Sequence, residues 1–175
     1  MDKVWEDFFT DFRVKNDWQK SAEFLLNKNR LAESIQIMQM HTYPYSDWIT
    51  WIYTHFAPVH PESLQKFISD LVSEVQTTSN HTFRRNLLNA LRYLKNEDDF
   101  PGFYDFLLEI IGSPRELHAA RVNAILLIEE WYLKSYPELI PEVKELIEIS
   151  GYDESPSLRA AKKNFYKFEK KVLKF

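Results

Sequence analysis

The amino-acid sequence predicts an all-α fold, a short solenoid of antiparallel helix pairs stacked side by side. An apolar residue followed by arginine opens a helical stretch three times, at Phe83-Arg84, Ala120-Arg121 and Leu158-Arg159, so the arginines at 84, 121 and 159 are 37 and 38 residues apart. Each of these stretches follows another of similar length, the recurrence expected of a unit that buries its apolar face only against its neighbours. The third observation is a shortage of turn residues: three glycines in 175 residues argue against a hairpin-rich β protein.

Hydrophobic residues make up 45% of the chain and aromatics 15%, enough apolar surface to offset conformational entropy in one all-helical domain over 1–175. Cysteine is absent, which excludes a disulfide framework, a thiolate zinc site and a cysteine nucleophile. The opening MDKVWEDFFTDFRVKND carries acids and lacks the basic start and apolar core of a secretory signal. The most apolar run, Ala124 to Ile128, is far short of the roughly 20 residues that span a bilayer. The expected setting is cytoplasmic.

Irregular helices are expected over 1–61. Lys3 to about Arg13, Asp17 to Asn27 and Asn29 to about Met40 read as helices, the third with Leu31, Ser34, Ile35 and Met38 at helical spacing. Tyr43-Pro44-Tyr45 breaks the pattern, since proline lacks a donor and pushes its predecessor out of helical geometry. Ser46 is expected to cap a helix through Trp48, Ile52 and Phe56. A further pair over about 29–57 is expected here, although it lacks the apolar-arginine start.

Three regular pairs follow, at 62–98, 99–135 and 136–175. In the first, one helix over 62–77 presents Leu64, Phe67, Ile68, Leu71, Val72 and Val75, and a second from Thr82 to about Lys95 buries Phe83, Leu87, Ala90 or Leu91, and Leu94. Asn96 to Asp99 reset the chain. The second pair places Pro101, Phe103, Phe106, Leu107, Ile110 and Ile111 before the Gly112-Ser113-Pro114 break, then Leu117, Ala120, Ala124, Leu127 or Ile128, and Trp131. The third begins at Tyr136-Pro137, where proline is tolerated because a first turn has no partner for its amide. It continues through Leu139, Ile140, Val143 and Ile147 to a last helix with Leu158, Ala161, Phe165, Phe168, Val172 and Phe175.

All three second helices reach a small or apolar residue three or four positions after the apolar-arginine start. This pattern over 62–175 resembles HEAT and HEAT-like repeats, whose second helix typically opens with a valine-arginine pair followed by alanine and leucine. The repeats here are a little shorter than the roughly 40 residues usual for that class. Alanine is matched clearly at Ala120, Ala124, Ala160 and Ala161. The resemblance implies a short right-handed α-α superhelix. It also implies that Arg84, Arg121 and Arg159 bridge to an acid or carbonyl of a neighbouring repeat.

The net charge of −4 is unevenly spread. Residues 97–154 hold 14 acids and 4 bases, and residues 155–175 hold 1 acid and 7 bases. Bases recurring on second helices, Arg85, Arg92, Arg121, Arg159 and Lys163, are the candidate partner-binding residues, because in a stacked solenoid those helices line the concave face. The predicted function is a non-enzymatic module that receives a protein or acidic peptide. Nucleic-acid binding is the second reading, since some HEAT-like proteins are DNA glycosylases holding duplex in a concave groove, and the net charge weighs against it.

No catalytic residue, cofactor or metal site is expected. The five histidines, His41, His55, His60, His81 and His118, never fall three or four apart. Glycine-rich phosphate loops and nucleophile elbows are lacking. Glu129 and Glu130 are expected on a wet face beside buried Trp131. The cluster Tyr43, Tyr45, Trp48, Trp51, Tyr53 and Phe56 is expected to pack between the amino-terminal pair and the first regular repeat. The lysines of the last helix, Lys162 to Lys174, are expected to solubilise a terminal cap.

Overall fold

Helix follows helix along the chain in a computed structural model that describes residues 2–15, 17–27, 29–97 and 100–173. Eleven α-helices and no strand occur among those residues. They are α1 (Lys3–Lys15), α2 (Trp18–Leu26), α3 (Arg30–Gln39), α4 (Tyr45–Phe56), α5 (Pro61–Gln65), α6 (Ile68–Thr77), α7 (His81–Leu91), α8 (Phe103–Gly112), α9 (His118–Ile128), α10 (Ile140–Ile149) and α11 (Pro156–Val172). Expectations placed on Asp98, Asp99, Lys174 and Phe175 fall outside the described residues.

The helices form two rows. Helices α4, α7, α9 and α11 pack one on the next, while α6, α8 and α10 form the facing row, and α3–α4, α6–α7 and α8–α9 pack as pairs. The apolar stripes explain this. Phe83, Leu87 and Leu91 of α7, and Ala120, Ala124 and Leu127 of α9, are buried to 1% exposure or less. Each buried Leu or Phe contributes about 1.5–3 kcal/mol, and alanine at 120 and 124 lets neighbouring helices approach closely. This is a helical solenoid.

Helix α1 closes the amino-terminal end with aromatic rings. Trp5, Phe9 and Phe12 are buried, Phe8 stacks on Phe24 at 4.1 Å between centroids, and Phe9 meets Tyr45 and Trp48 at 5.0 and 5.6 Å. Trp48 thus packs on α1. Ile52, Tyr53 and Phe56 enter the core, Tyr43 is 82% exposed, and Trp51 is 37% exposed, edge-on to Phe12 of α1 at 6.0 Å.

Local chemistry departs from the sequence pattern in four places. Ser46 does not cap α4, which begins at Tyr45 after a cis Tyr43–Pro44 bond. Its buried hydroxyl donates to the Ile37 carbonyl at 2.8 Å and accepts from the Thr42 amide at 2.9 Å, tying α4 to the end of α3. The helix expected over 62–77 is broken into α5 and α6, where the Phe67 amide turns back to the Leu64 carbonyl at 3.0 Å. Neither glycine nor proline stands at Lys66-Phe67 to announce this break. The helix expected to about Lys95 ends at Leu91 and continues as turns that still bury Leu94. Finally, α9 runs into one π-helical segment, Glu129–Leu133, which shifts the face on which the following side chains emerge.

Candidate ligand groove

The arginines that open α7 and α9 serve the stack. The Arg84 guanidinium pairs with the Glu116 carboxylate, donates to the Thr78 and Val75 carbonyls and lies 5.7 Å from the Phe106 ring centroid. Arg121, 1% exposed, donates to the Ile111 carbonyl at 3.0 Å and to the Ser150 carbonyl at 2.5 Å, and covers the Tyr152 ring at 4.5 Å. The two sets correspond. Val75 and Ile111 end the preceding first helices, where carbonyls lack helical partners, while Glu116 and Ser150 belong to the next repeat. Arg159 departs from the expected bridge to a neighbouring repeat: it is exposed and donates within its own repeat, to the Asp153 carbonyl at 2.8 Å, because no further repeat follows α11 among the described residues.

A second set of polar groups lies across the free face of the second-helix row. A cleft of about 570 Å³ is bounded by Trp51 and His55 of α4, by Arg85, Asn86 and Asn89 of α7 with Tyr93 beyond it, by Val122 and Asn123 of α9, and by Ser157 of α11. No aspartate or glutamate lines it.

Two buried asparagines shape its charge. The Asn86 amide nitrogen donates to the Thr50 hydroxyl at 3.2 Å, which leaves its oxygen to accept from Arg85 Nε at 3.2 Å and Nη2 at 3.0 Å. Asn123 donates to the Arg85 carbonyl at 3.2 Å and accepts from Arg92 Nη1 at 3.2 Å. Among the described residues no carboxylate stands within ion-pair distance of Arg85 or Arg92. A side-chain amide orients a guanidinium without neutralising it, so both retain their charge and unused donors.

Aromatic rings flank these cations. Trp51 meets Trp18 edge-on at 4.9 Å, Trp18 stacks on His55 at 3.7 Å, and Arg92 lies over Tyr93 at 5.7 Å. Burial holds the His55 imidazole below its ordinary pKa, favouring the neutral ring.

Beyond Arg92 lies Glu129, which the sequence places on a wet face. Only Glu130 is exposed there, paired with Lys134 at 2.5 Å. Glu129 is half-buried, and one carboxylate oxygen has no hydrogen-bond partner. Burial raises its pKa to about 7, against the opposing pull of Arg92. The π-helical segment, invisible to a 3.6-residue pattern, is the reason for the difference. Trp131 is buried as expected, its ring nitrogen donating to the Leu94 carbonyl at 2.9 Å.

Of the residues singled out in the sequence, Arg85 and Arg92 come together through Asn123. Arg121 does not reach the cleft, because its guanidinium is enclosed between repeats. Arg159 sits at the start of α11, and Lys163 is exposed on that helix without an ion-pair partner among the described residues. Sequence reasoning missed Asn86, Asn89 and Asn123. Their clustering on α7 and α9 along the edge of the apolar stripe was the available signal.

Among the described residues no three His, Asp or Glu side chains are grouped to hold a metal ion, and no helix is long and apolar enough to cross a membrane. A family model described as a HEAT repeat domain matches residues 18–168. Comparison with curated proteins and with solved structures gives no match.

Proposed function

The chain belongs to the HEAT repeat domain family, and from that premise we propose that it is a non-enzymatic interaction module whose groove holds an acidic peptide segment of a partner protein. The observation that carries the reading is the contrast among arginines. Arg84 is spent on a carboxylate and two carbonyls, and Arg121 on two carbonyls and a ring. Arg85 and Arg92 are aimed by amides and form no ion pair among the described residues, Arg85 in the wall of a cleft without acids and Arg92 held next to it by Asn123, which lines the same cleft. Such a site gives an approaching carboxylate charge-assisted hydrogen bonds. The surrounding −10 balance over 97–154 then repels acidic segments elsewhere.

Calorimetric titration with an acetylated, amidated hexaglutamate tests this. Binding is expected to weaken with salt, and reversal of both cations, Arg85→Glu with Arg92→Glu, is expected to cost at least about tenfold in affinity. Lys66→Glu with Arg115→Glu changes the charge equally at exposed positions outside the cleft and is expected to stay within about twofold. Equal losses in both proteins, or no binding of the acidic probe by the wild type, would refute the proposal. Stronger retention of duplex DNA than of the peptide at matched salt would refute it in favour of phosphate recognition.

A further inference from the structure

Glu129 has no evident structural use. One of its oxygens is buried without a hydrogen bond, and an orphaned buried acceptor is rare enough in folded proteins to require a reason. It stands on the π-helical segment that interrupts the end of α9, a geometry that recurs at functional sites. The cation acting on it most strongly is Arg92 from α7, one of the two guanidiniums assigned to the ligand. Its own segment contributes Glu130, which opposes its ionisation, and Lys134, which favours it. Glu138, on the short turn packed against this segment, is exposed.

We propose that Glu129 is the groove's internal counter-charge, a carboxylate that competes with an acidic ligand for Arg92 and takes up a proton when the ligand is held at full strength. The proposal rests on the acidic-peptide reading above and deepens it by naming the residue that regulates the site. Asn123 lines the cleft and holds the Arg92 guanidinium at its edge at 3.2 Å, so a carboxylate bound beside Asn123 and the Glu129 carboxylate share one cation. A second negative charge near Arg92 disfavours the ionised form of Glu129, by the ordinary repulsion of like charges sharing one cation.

The direction follows from linkage. Ligand binding raises the pKa of Glu129 above its value in the free protein, where burial has already brought it to about 7. Binding is therefore strongest below that value, where the carboxyl is neutral in both states. It weakens as the pH climbs through the interval between the free and bound values, by at most about tenfold per pH unit. His55, which lines the cleft itself, is held below its ordinary pKa by burial and charges only at lower pH.

The test is hexaglutamate titration of the wild type, Glu129→Gln and His55→Gln from about pH 6 to about pH 8.5, in two buffers of different ionisation heat so that proton uptake is read directly. Wild-type affinity is expected to fall about fivefold to tenfold across this range, with roughly half a proton taken up on binding near neutrality. Glu129→Gln is expected to bind at high pH as the wild type binds at low pH, with no slope and no uptake, while His55→Gln keeps the wild-type profile. Thermal melting verifies that each variant is folded.

A flat wild-type profile, a slope that survives in Glu129→Gln, or one that disappears in His55→Gln would overturn the proposal. Where binding is lost in Arg92→Leu yet wild-type affinity is independent of pH, the counter-charge fails and the acidic-peptide reading stands. Absence of binding at every pH removes both.

Discussion

Replacing Arg121 by methionine tests whether the helix-start arginines hold the stack together. The guanidinium is 1% exposed, donates at 3.0 Å and 2.5 Å to the carbonyls of Ile111 and Ser150, and lies 4.5 Å from the centre of the Tyr152 ring. Two charge-assisted hydrogen bonds at about 1.5–3 kcal/mol each, with a desolvated ring contact of about 2 kcal/mol, give a gross loss of about 6 kcal/mol. Methionine offsets part of this, because it buries apolar surface and removes the cost of holding a cation away from water. Ile111 O still accepts from the Tyr152 hydroxyl at 3.2 Å, so only the Ser150 carbonyl loses its partner, and a net cost of about 3 kcal/mol remains. For a chain of this size that corresponds to a melting temperature lower by roughly 6–12 °C. The assay is a calorimetric melt of Arg121→Met beside Arg85→Met. The Arg85 variant loses hydrogen bonds only to the Asn86 amide oxygen, at the wall of an open cleft where water replaces them, and is expected to cost no more than about 1 kcal/mol. A melting point for Arg121→Met within about 2 °C of wild type, or an equal drop for both variants, would refute the distinction between stacking and groove arginines.

Glu129 also leaves a signature in stability. Its folded-state pKa of about 7 lies above the ordinary 4.5, so its contribution is fully present below the unfolded value and is lost as pH rises through about 7. Glu129→Gln is expected to gain on wild type by on the order of 3 kcal/mol between pH 5 and pH 8, read as a melting-point difference that widens with pH; a constant difference would contradict the burial argument. Ser155 accepts the Leu158 amide at 3.2 Å as the N-cap of α11, and Ser155→Ala is expected to cost about 1 kcal/mol in a denaturant midpoint series. Gly151 has φ 71°, and a Cβ there would lie 2.6 Å from the Glu154 carboxylate, whereas Gly102 with φ 72° has open space around it. Alanine is expected to cost about 1 kcal/mol at position 102 and more at 151, and the double variant Gly151→Ala with Glu154→Ala should recover the excess if the side-chain contact is its source.

The fold was legible because the repeat repeats its physics. Phe83-Arg84 and Ala120-Arg121 carry the same pair of tasks, an apolar residue sealing the interface and a guanidinium satisfying the last carbonyls of the preceding helix. Such a coupling survives loss of sequence similarity in the intervening residues. What escaped was backbone irregularity without a compositional marker. Lys66-Phe67 breaks a helix without glycine or proline, and the π-helical segment at Glu129 adds residues to a turn that the apolar periodicity of α9 does not reveal. Ser46 shows the same limit from the opposite side. A serine after proline has the chemistry of a cap, but a packed neighbour, the Ile37 carbonyl, competes for its hydroxyl and wins.

The groove was half legible for a related reason. Sequence marks where the cations are and is silent on what holds them, so Arg84 and Arg85, adjacent in the chain, look alike. Their helical positions differ by about 100°. That rotation sends Arg84 to Glu116 and the interrepeat loops and Arg85 to Asn86 at the open face. Asparagine is the discriminating partner. Had aspartate stood at 86 or 123, the same geometry would have formed a closed ion pair with little left for a ligand. With an amide, the buried hydrogen bonds are satisfied and the charge is kept outward. The identity of residues 86 and 123, and not the arginines alone, is therefore what makes this face a place for a carboxylate.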